Sequence, residues 1–298
     1  MRVLVTGGAG FLGSNVVDAL VARGDLVVAL DDLSTGDRTN LAPDIPFRNA
    51  NVADASALAW AVQGEGFDAI VHCASKTKVV ESMEKPDLYR RVIVEGTRNV
   101  VALAETMHAR MLVNVSTGGA MYGETPVCAT ENVPAEPDSN YGRFKLEAER
   151  IVAQSDIPSI TLRCANIYGP RQRQDLEGGV IAIFLGCWRR KAPITIYGDG
   201  SAERDYVYVG DVADAVLASF AGAWHGLFNI GTGVATSVNE LVAQLTELLG
   251  PPADVVRAPA RTVETQRSCL DPHKAAHDRF WTPKTALRAG LARTIELA

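Results

Sequence analysis

The most constraining feature of the chain is its glycine loop. Thr6-Gly7-Gly8-Ala9-Gly10-Phe11-Leu12-Gly13 contains Gly7-x-x-Gly10-x-x-Gly13. The loop follows the short β-branched run Arg2–Thr6. It precedes an amphipathic stretch, Ser14–Arg23, that stops at Gly24. A glycine pattern alone is weak evidence, but a strand before it and a helix after it supply the context the pattern needs. The glycines permit a tight turn and a close approach of backbone to a pyrophosphate. The helix that follows offers free N–H groups and the positive end of its dipole.

The alternation continues along the chain. Leu26–Leu30, Ala69–Cys73, Met111–Ser116 and Ser159–Cys164 read as strands, and Val92–His108 and Gly142–Gln154 as helices. Continuous apolar strands alternating with helices predict an α/β fold with a Rossmann-type doubly wound parallel sheet, covered on both faces. Beyond Asn166 the texture changes: Gly, Pro and Arg cluster over Tyr168–Gly179 and the strands become short. This predicts a first domain over 1–165 and a smaller C-terminal domain over 166–298.

Composition narrows the partners. Lys and Arg number 29 and Asp and Glu 35, a net charge of −6. No global basic field exists to displace counterions from a nucleic acid. The longest apolar run, Val180–Trp188, is too short to cross a bilayer. No signal-peptide cleavage site is expected, which predicts a cytoplasmic protein. The five cysteines include no Cys-x-x-Cys pair. They are expected to serve as free thiols in a reducing compartment, without disulfides or a metal site. His273 and His277 are four apart but lack an acidic third ligand, and read as surface residues.

Two further clusters carry chemistry. The second strand ends in Asp31-Asp32. A carboxylate there accepts both adenosine ribose hydroxyls and repels a 2′-phosphate, which favours NAD over NADP. Asn51, near the end of the third strand, is a candidate for adenine. Tyr141 and Lys145 stand at i and i+4, on one face of a predicted helix. An ammonium beside a phenol stabilises the phenolate, giving a base able to take a proton from a sugar hydroxyl.

At this point the chain resembles the extended short-chain dehydrogenase/reductases. Within them it resembles the NAD-dependent nucleotide-sugar epimerase/dehydratase family, and it is most similar in pattern to the UDP-glucose (UDP-galactose) 4-epimerases. The resemblance spans nearly the whole chain. It is carried by Val5–Gly13, Asp31–Ser34, Ser116–Gly123, Tyr141–Lys145, Arg163–Gln172, Tyr197–Gly200 and Arg204–Val209. It implies Tyr141 as general base and Lys145 on the nicotinamide ribose, with a hydroxyl from Thr117 or Ser116 completing the set. It places Gly7, Gly10, Phe11, Leu12, Gly13, Asp31, Asp32, Asn51, Val52, Cys73, Ala74 and Tyr168 beside NAD. It implies Asn166, Arg204 and Arg267 at the substrate phosphates, and Val180 and Phe184 along the uridine. The segment Asp205–Asn229 is expected to return to the first domain, and a homodimer is expected, with Val92–His108 as one candidate surface.

Three departures accompany the resemblance. The usual hydroxyl position falls on Gly118, so Thr117 takes that role. The cofactor-side lysine position is Thr77, flanked by Lys76 and Lys78, and an expected asparagine is Ile93. Dehydratase and decarboxylase relatives carry an acid two positions before the Tyr-Gly pair; here Ala120 stands there. The resemblance therefore implies C4 inversion of a nucleotide sugar through a 4-keto intermediate, with UDP-glucose/UDP-galactose as the first substrate reading. The alternatives are 4-epimerisation of UDP-glucuronate or UDP-N-acetylglucosamine, an NAD(P)-dependent 4-ketoreductase, and a non-catalytic dinucleotide sensor.

Overall fold

The computed structural model describes residues 1–175, 179–222, 224–260 and 265–297. The first half contains β1 (Arg2–Thr6), α1 (Phe11–Ala22), β2 (Leu26–Asp31), β3 (Phe47–Asn49), α2 (Ala55–Ala61), β4 (Ala69–His72), α3 (Val79–Glu84), α4 (Pro86–Arg90), α5 (Gly96–Thr106), β5 (Met111–Thr117) and α6 (Asn140–Ala153). It is followed by β6 (Ser159–Cys164), β7 (Asn166–Tyr168), α7 (Val180–Arg190), β8 (Ile194–Tyr197), β9 (Glu203–Tyr208), α8 (Val209–Ala218), β10 (Gly226–Ile230), β11 (Ala235–Ser237), α9 (Val238–Leu249), β12 (Val255–Ala258), β13 (Arg267–Ser268), α10 (His273–His277) and α11 (Leu287–Glu296).

Seven strands form one sheet in the order β10-β6-β5-β4-β1-β2-β3, all parallel. Alternate residues of each strand feed cores on the two faces. Val3 and Val5 enter one with Val16, Val17 and Leu20 of α1, while Leu4 enters the other with Val100 and Ala104 of α5. The strand order reverses between β1 and β4, where Thr6 pairs with His72. A crevice opens at the carboxyl ends of the strands at such a switch point, and the glycine loop stands at its edge.

The second half builds smaller layers. β9 pairs with β7, β11 and β13, and β8 pairs with β12. A third core gathers Ile181, Phe184 and Leu185 of α7, Leu241 and Leu245 of α9, and Leu291 of α11. Later elements join the large sheet as well, α8 packing on α1 and β10 pairing with β6. Re-entry starts at Val209, because β9 is an element of the smaller sheet.

Two sequence expectations are corrected here. Val92–His108 is not one regular helix: α4 runs into a π-helical turn over Arg91–Glu95 before α5 begins. Ile93 is wedged there with Tyr89 and Ala148, and the Thr97 hydroxyl donates to the Ile93 carbonyl (2.6 Å). Second, the cysteines are not all free. Cys128 and Cys269, 141 residues apart in sequence, form a disulfide, and Cys73, Cys164 and Cys187 remain as thiols. The fold brings the loop between β5 and α6 against the strand end after β13, a proximity that spacing does not reveal. Among the described residues, no helix is long and apolar enough to cross a membrane.

Candidate active site

The glycine loop is closed to side chains. Gly7 has φ of +68°, and a Cβ there would stand 2.7 Å from the Ala74 nitrogen. The segment that follows β4 and carries Cys73 and Ala74 therefore lies directly against the loop, and the Cys73 N–H donates to the Thr6 carbonyl (3.0 Å). The Gly10 N–H donates to the Gly7 carbonyl (3.1 Å), and a Cβ on Gly13 would collide with that same carbonyl. Gly10 heads α1 with no side-chain cap. The Asp31 carboxylate accepts the Ala9 N–H (3.1 Å) and the Leu33 N–H (2.8 Å), and burial pushes its carboxyl above the usual range. Asp32 accepts from Ser34 N–H (2.9 Å) and from the Asn51 amide (2.8 Å). Asn51 thus orients Asp32. A cradle without room for Cβ atoms, an uncapped helix N-terminus and carboxylates at the end of β2 fit a dinucleotide.

The flanking residues are mostly packed. Phe11 and Leu12 lean on the third core. Val52 is buried against Gly96, with its carbonyl taken by Asn99 (2.9 Å). Burial pushes the Cys73 thiol up to about 12. His72 is enclosed between the Thr6 hydroxyl (2.7 Å) and the Thr97 hydroxyl (3.2 Å), and burial lowers it to about 3, so it is neutral. Thr77 is exposed, while neighbouring Lys76 donates to the Ser34 hydroxyl (3.3 Å).

The start of α6 presents Tyr141. Ser139 caps the helix by accepting the Gly142 N–H (3.2 Å), and the Tyr141 N–H donates to the Ser82 hydroxyl (3.1 Å). Burial pushes the Tyr141 phenol up to about 12, and a hydrogen bond with Thr117 opposes that rise. Lys145, one turn on, is buried and donates to the Val115 carbonyl (2.7 Å) at the end of β5. Burial lowers its pKa, and the charge of Glu149 opposes the loss. Thr117 is the group that opposes the effect of burial on the Tyr141 phenol, and the Lys145 ammonium is engaged by the Val115 carbonyl of β5.

Ser116 does not share the Thr117 position. Its hydroxyl donates to Glu149 (2.5 Å), which is also held by Arg163 through Nε (3.0 Å) and Nη2 (2.7 Å). Arg163 lies over the Tyr122 ring, 4.9 Å from its centroid, and the Tyr122 hydroxyl donates to Asn229 (2.8 Å). Glu149, Arg163 and Ser116 are all buried. Sequence reasoning missed this cluster, although Glu149 continues the Tyr141, Lys145 spacing by one more turn of helix.

Across the cleft, a Cβ on Gly118 would collide with the Leu270 side chain. A side chain at Gly118 therefore has no room beside Leu270. A Cβ on Gly119 would stand 3.3 Å from the Asn166 amide oxygen and 3.8 Å from the Ser268 hydroxyl. Asn166 and Ser268 therefore converge on one point, and Ser268 is a second residue the sequence did not single out. Arg204 and Arg267 stand on neighbouring strands, with Arg204 level with Ser268 and Arg267 level with Glu203. Arg204 donates to the Glu203 carbonyl (2.8 Å), and Arg267 to the Glu203 carboxylate (2.9 Å).

Tyr168 and Phe184 are packed inward. Tyr168 is 1% exposed, with its hydroxyl on the Leu287 carbonyl (3.2 Å), and Phe184 is 2% exposed. Both belong to the third core, Tyr168 from β7 and Phe184 from the buried face of α7. Val180 is half-buried at the start of α7. His273 and His277 are exposed beside Asp271 and Asp278.

Residues 3–231 match the model of the NAD dependent epimerase/dehydratase family. A UDP-glucose 4-epimerase of Mycolicibacterium smegmatis is 37% identical, covering 99% of this chain and 98% of its own. A UDP-glucose 4-epimerase of Thermotoga maritima, solved with UDP-glucose, superposes with a TM-score of 0.95 at 35% identity, over 100% of this chain and 98% of that one. The Thermus thermophilus UDP-glucose 4-epimerase, solved with NAD, gives 0.94 at 37% identity, over 99% and 98%. The glycine cradle, the acidic end of β2 and the Tyr141–Lys145 helix lie within the matched span, and the likeness extends over the whole chain: it belongs to the NAD dependent epimerase/dehydratase family.

Proposed function

We propose that the chain is an NAD-dependent nucleotide-sugar 4-epimerase that interconverts UDP-glucose and UDP-galactose. The observation that carries this reading is the set at the end of β5: a phenol bonded to Thr117, with glycine and alanine where an eliminating enzyme needs an acid. Such a site can move one proton but has no second acid–base group there for loss of water. The full-length likeness to UDP-glucose 4-epimerases supports the substrate.

Tyr141 accepts the proton of the sugar C4 hydroxyl, and Thr117 stabilises the phenolate that shares it. When bound, NAD supplies a reversible hydride acceptor and a positive ring that lowers the barrier to forming that phenolate. Lys145 orients the cofactor ribose. Asn166, Arg204 and Arg267 hold the pyrophosphate, since guanidinium forks suit phosphate oxygens. With the phosphates anchored, the 4-keto sugar turns and presents its other face. Return of hydrogen to that face, with the proton returned by Tyr141, inverts C4. Positioning of this kind lets one base serve both directions. Residues 1–165 with 209–230 form the cofactor half in this reading, and the remainder forms the substrate half.

A homodimer belongs to the same proposal. The exposed Arg90 and Arg98 and the half-buried Glu95 and Glu147 pair with one another, and could re-pair across a two-fold axis. Sedimentation at two salt concentrations tests this; a monomer at both rejects it.

The test of function is conversion. Purified protein with catalytic NAD is incubated with UDP- and dTDP-sugars, and products are resolved by chromatography and NMR. UDP-glucose and UDP-galactose should interconvert without net NADH. Net consumption of NADH with a 4-keto sugar would reject the epimerase reading.

A further inference from the structure

We propose that the Cys128–Cys269 disulfide is a thiol-exchange site, entered at Cys128 by a small-molecule thiol, and that its opening loosens the strand carrying Arg267. The role of Arg267 rests on the proposed function; the exchange chemistry does not.

The two sulfurs differ in access. Cys269 is 2% exposed, whereas Cys128 is half-buried. The more exposed residue, Cys128, is therefore the side from which an incoming thiolate approaches. Attack there forms a mixed disulfide at Cys128, breaks the S–S bond and expels the Cys269 thiolate, which takes a proton from solvent. A second small thiol then attacks the mixed disulfide and leaves as the small disulfide. In sum, one protein disulfide and two small thiols give two protein thiols and one small disulfide, so the protein gains two electrons and two protons. A small disulfide reverses the sequence. The released Cys128 thiol has an acceptor in place, since the Gly233 carbonyl oxygen stands 3.4 Å from its sulfur.

The bridge holds an otherwise thin element. β13 is two residues long, and β9 is the strand it pairs with. On its other side the support comes from the loop between β5 and α6. Glu124 accepts the Gln266 N–H (2.8 Å) and the Arg267 N–H (3.0 Å). The Ala129 N–H donates to the Cys269 carbonyl (2.9 Å), and the Asp271 N–H donates to the Ala129 carbonyl (2.8 Å). Arg267 itself lies over this seam, with Nη1 3.4 Å from the Thr125 carbonyl and Nη2 3.9 Å from the Cys128 sulfur. A covalent link between loop and strand thus fixes both the backbone and the guanidinium of Arg267. It also joins residues 141 apart, so it restricts the unfolded chain.

The test begins by counting thiols. Alkylation of the air-prepared, denatured protein should label Cys73, Cys164 and Cys187 and leave a linked peptide joining Cys128 and Cys269. Prior incubation of the folded protein with reduced glutathione should expose all five cysteines. The Cys269→Ser variant, treated with oxidised glutathione, should carry glutathione on Cys128. Labelling of all five without reductant, or no adduct at Cys128, would overturn the exchange site. Hydrogen exchange at the Gln266, Arg267 and Asp271 amides, followed before and after reduction, should quicken by roughly tenfold, as local opening becomes easier. On reduction, KM for UDP-glucose should rise by roughly fivefold with kcat nearly constant, the pattern of weakened uniform binding. The Cys128→Ser/Cys269→Ser variant should show the raised KM and no response to glutathione. Unchanged exchange would overturn control of the strand. Inactivity in both redox states, with the exchange change present, would instead count against the function proposed for the site.

Discussion

Leu270 occupies the space into which a side chain at Gly118 would project, so a Cβ on Gly118 would collide with the Leu270 methyl groups. Leu270 is 1% exposed and its N–H donates to Asp205 (3.3 Å), so it has little freedom to withdraw. Gly118→Ser should therefore not add a working hydroxyl. Overpacking of a tight core costs about 1–3 kcal/mol. Thermal unfolding should show that loss, and Leu270→Ala in the same chain should recover part of it.

Thr117 is the hydroxyl partner of Tyr141, and it favours the ionised phenol. Thr117→Val removes that preference while keeping the shape. The rising limb of the kcat profile should move to higher pH, and kcat at neutral pH should fall by about 10²-fold. An unshifted limb would mean that Thr117 does not tune the base.

Tyr141→Phe removes the proton acceptor and leaves the glycine cradle intact. NAD binding, followed by fluorescence quenching, should stay within a few-fold of the parent. Turnover should fall by about 10³-fold or more. Near-parent turnover would remove Tyr141 from the chemistry.

Glu149 is enclosed with Arg163, Ser116 and the charge of Lys145. Glu149→Gln leaves Arg163 buried without its anion, and breaking such a pair costs about 3–5 kcal/mol. It also withdraws the charge that opposes the lowering of the Lys145 pKa by burial. Denaturant titration should reveal the stability loss, and the alkaline limb of kcat should move to lower pH. Ser116→Ala, which keeps the ion pair, should leave that limb in place.

His72 is held neutral by burial, with its pKa lowered to about 3. The unfolded chain protonates this residue near pH 6.5, so between about 6.5 and 3 the unfolded state binds the extra proton. Stability contributed by neutral His72 is present above that window and is lost as pH falls through it, at up to about 1.4 kcal/mol per pH unit. Urea midpoints across pH 7 to 4 should show the decline, and His72→Gln should flatten it.

What was readable in the sequence divides along physical lines. The glycine loop, the strand Ser159–Cys164 and the Tyr141–Lys145 helix are local patterns, and the fold keeps them almost residue for residue. Counting back from Tyr122-Gly123 falls on Gly118, with Thr117 beside it, but the packing of Leu270 against Gly118 joins segments about 150 residues apart, as in any long-range packing. The Cys128–Cys269 bridge and the Glu149–Arg163 pair depend on tertiary placement in the same way. Tyr168 and Phe184 stand in recognisable segments, and their packing against α9 and α11 in the third core is again a long-range matter that those segments do not reveal. The helix expected over Val92–His108 has the right apolar period, but period alone does not reveal the π-helical turn around Ile93.

The most direct test of the central claim follows the hydrogen at C4. UDP-galactose deuterated at C4 is incubated in ordinary water with the protein and catalytic NAD, and the product is examined by NMR. The account predicts UDP-glucose that keeps the deuterium at C4, because that hydrogen leaves and returns inside a closed site while only the hydroxyl proton passes through Tyr141. Product that has exchanged its C4 deuterium for solvent hydrogen would contradict it.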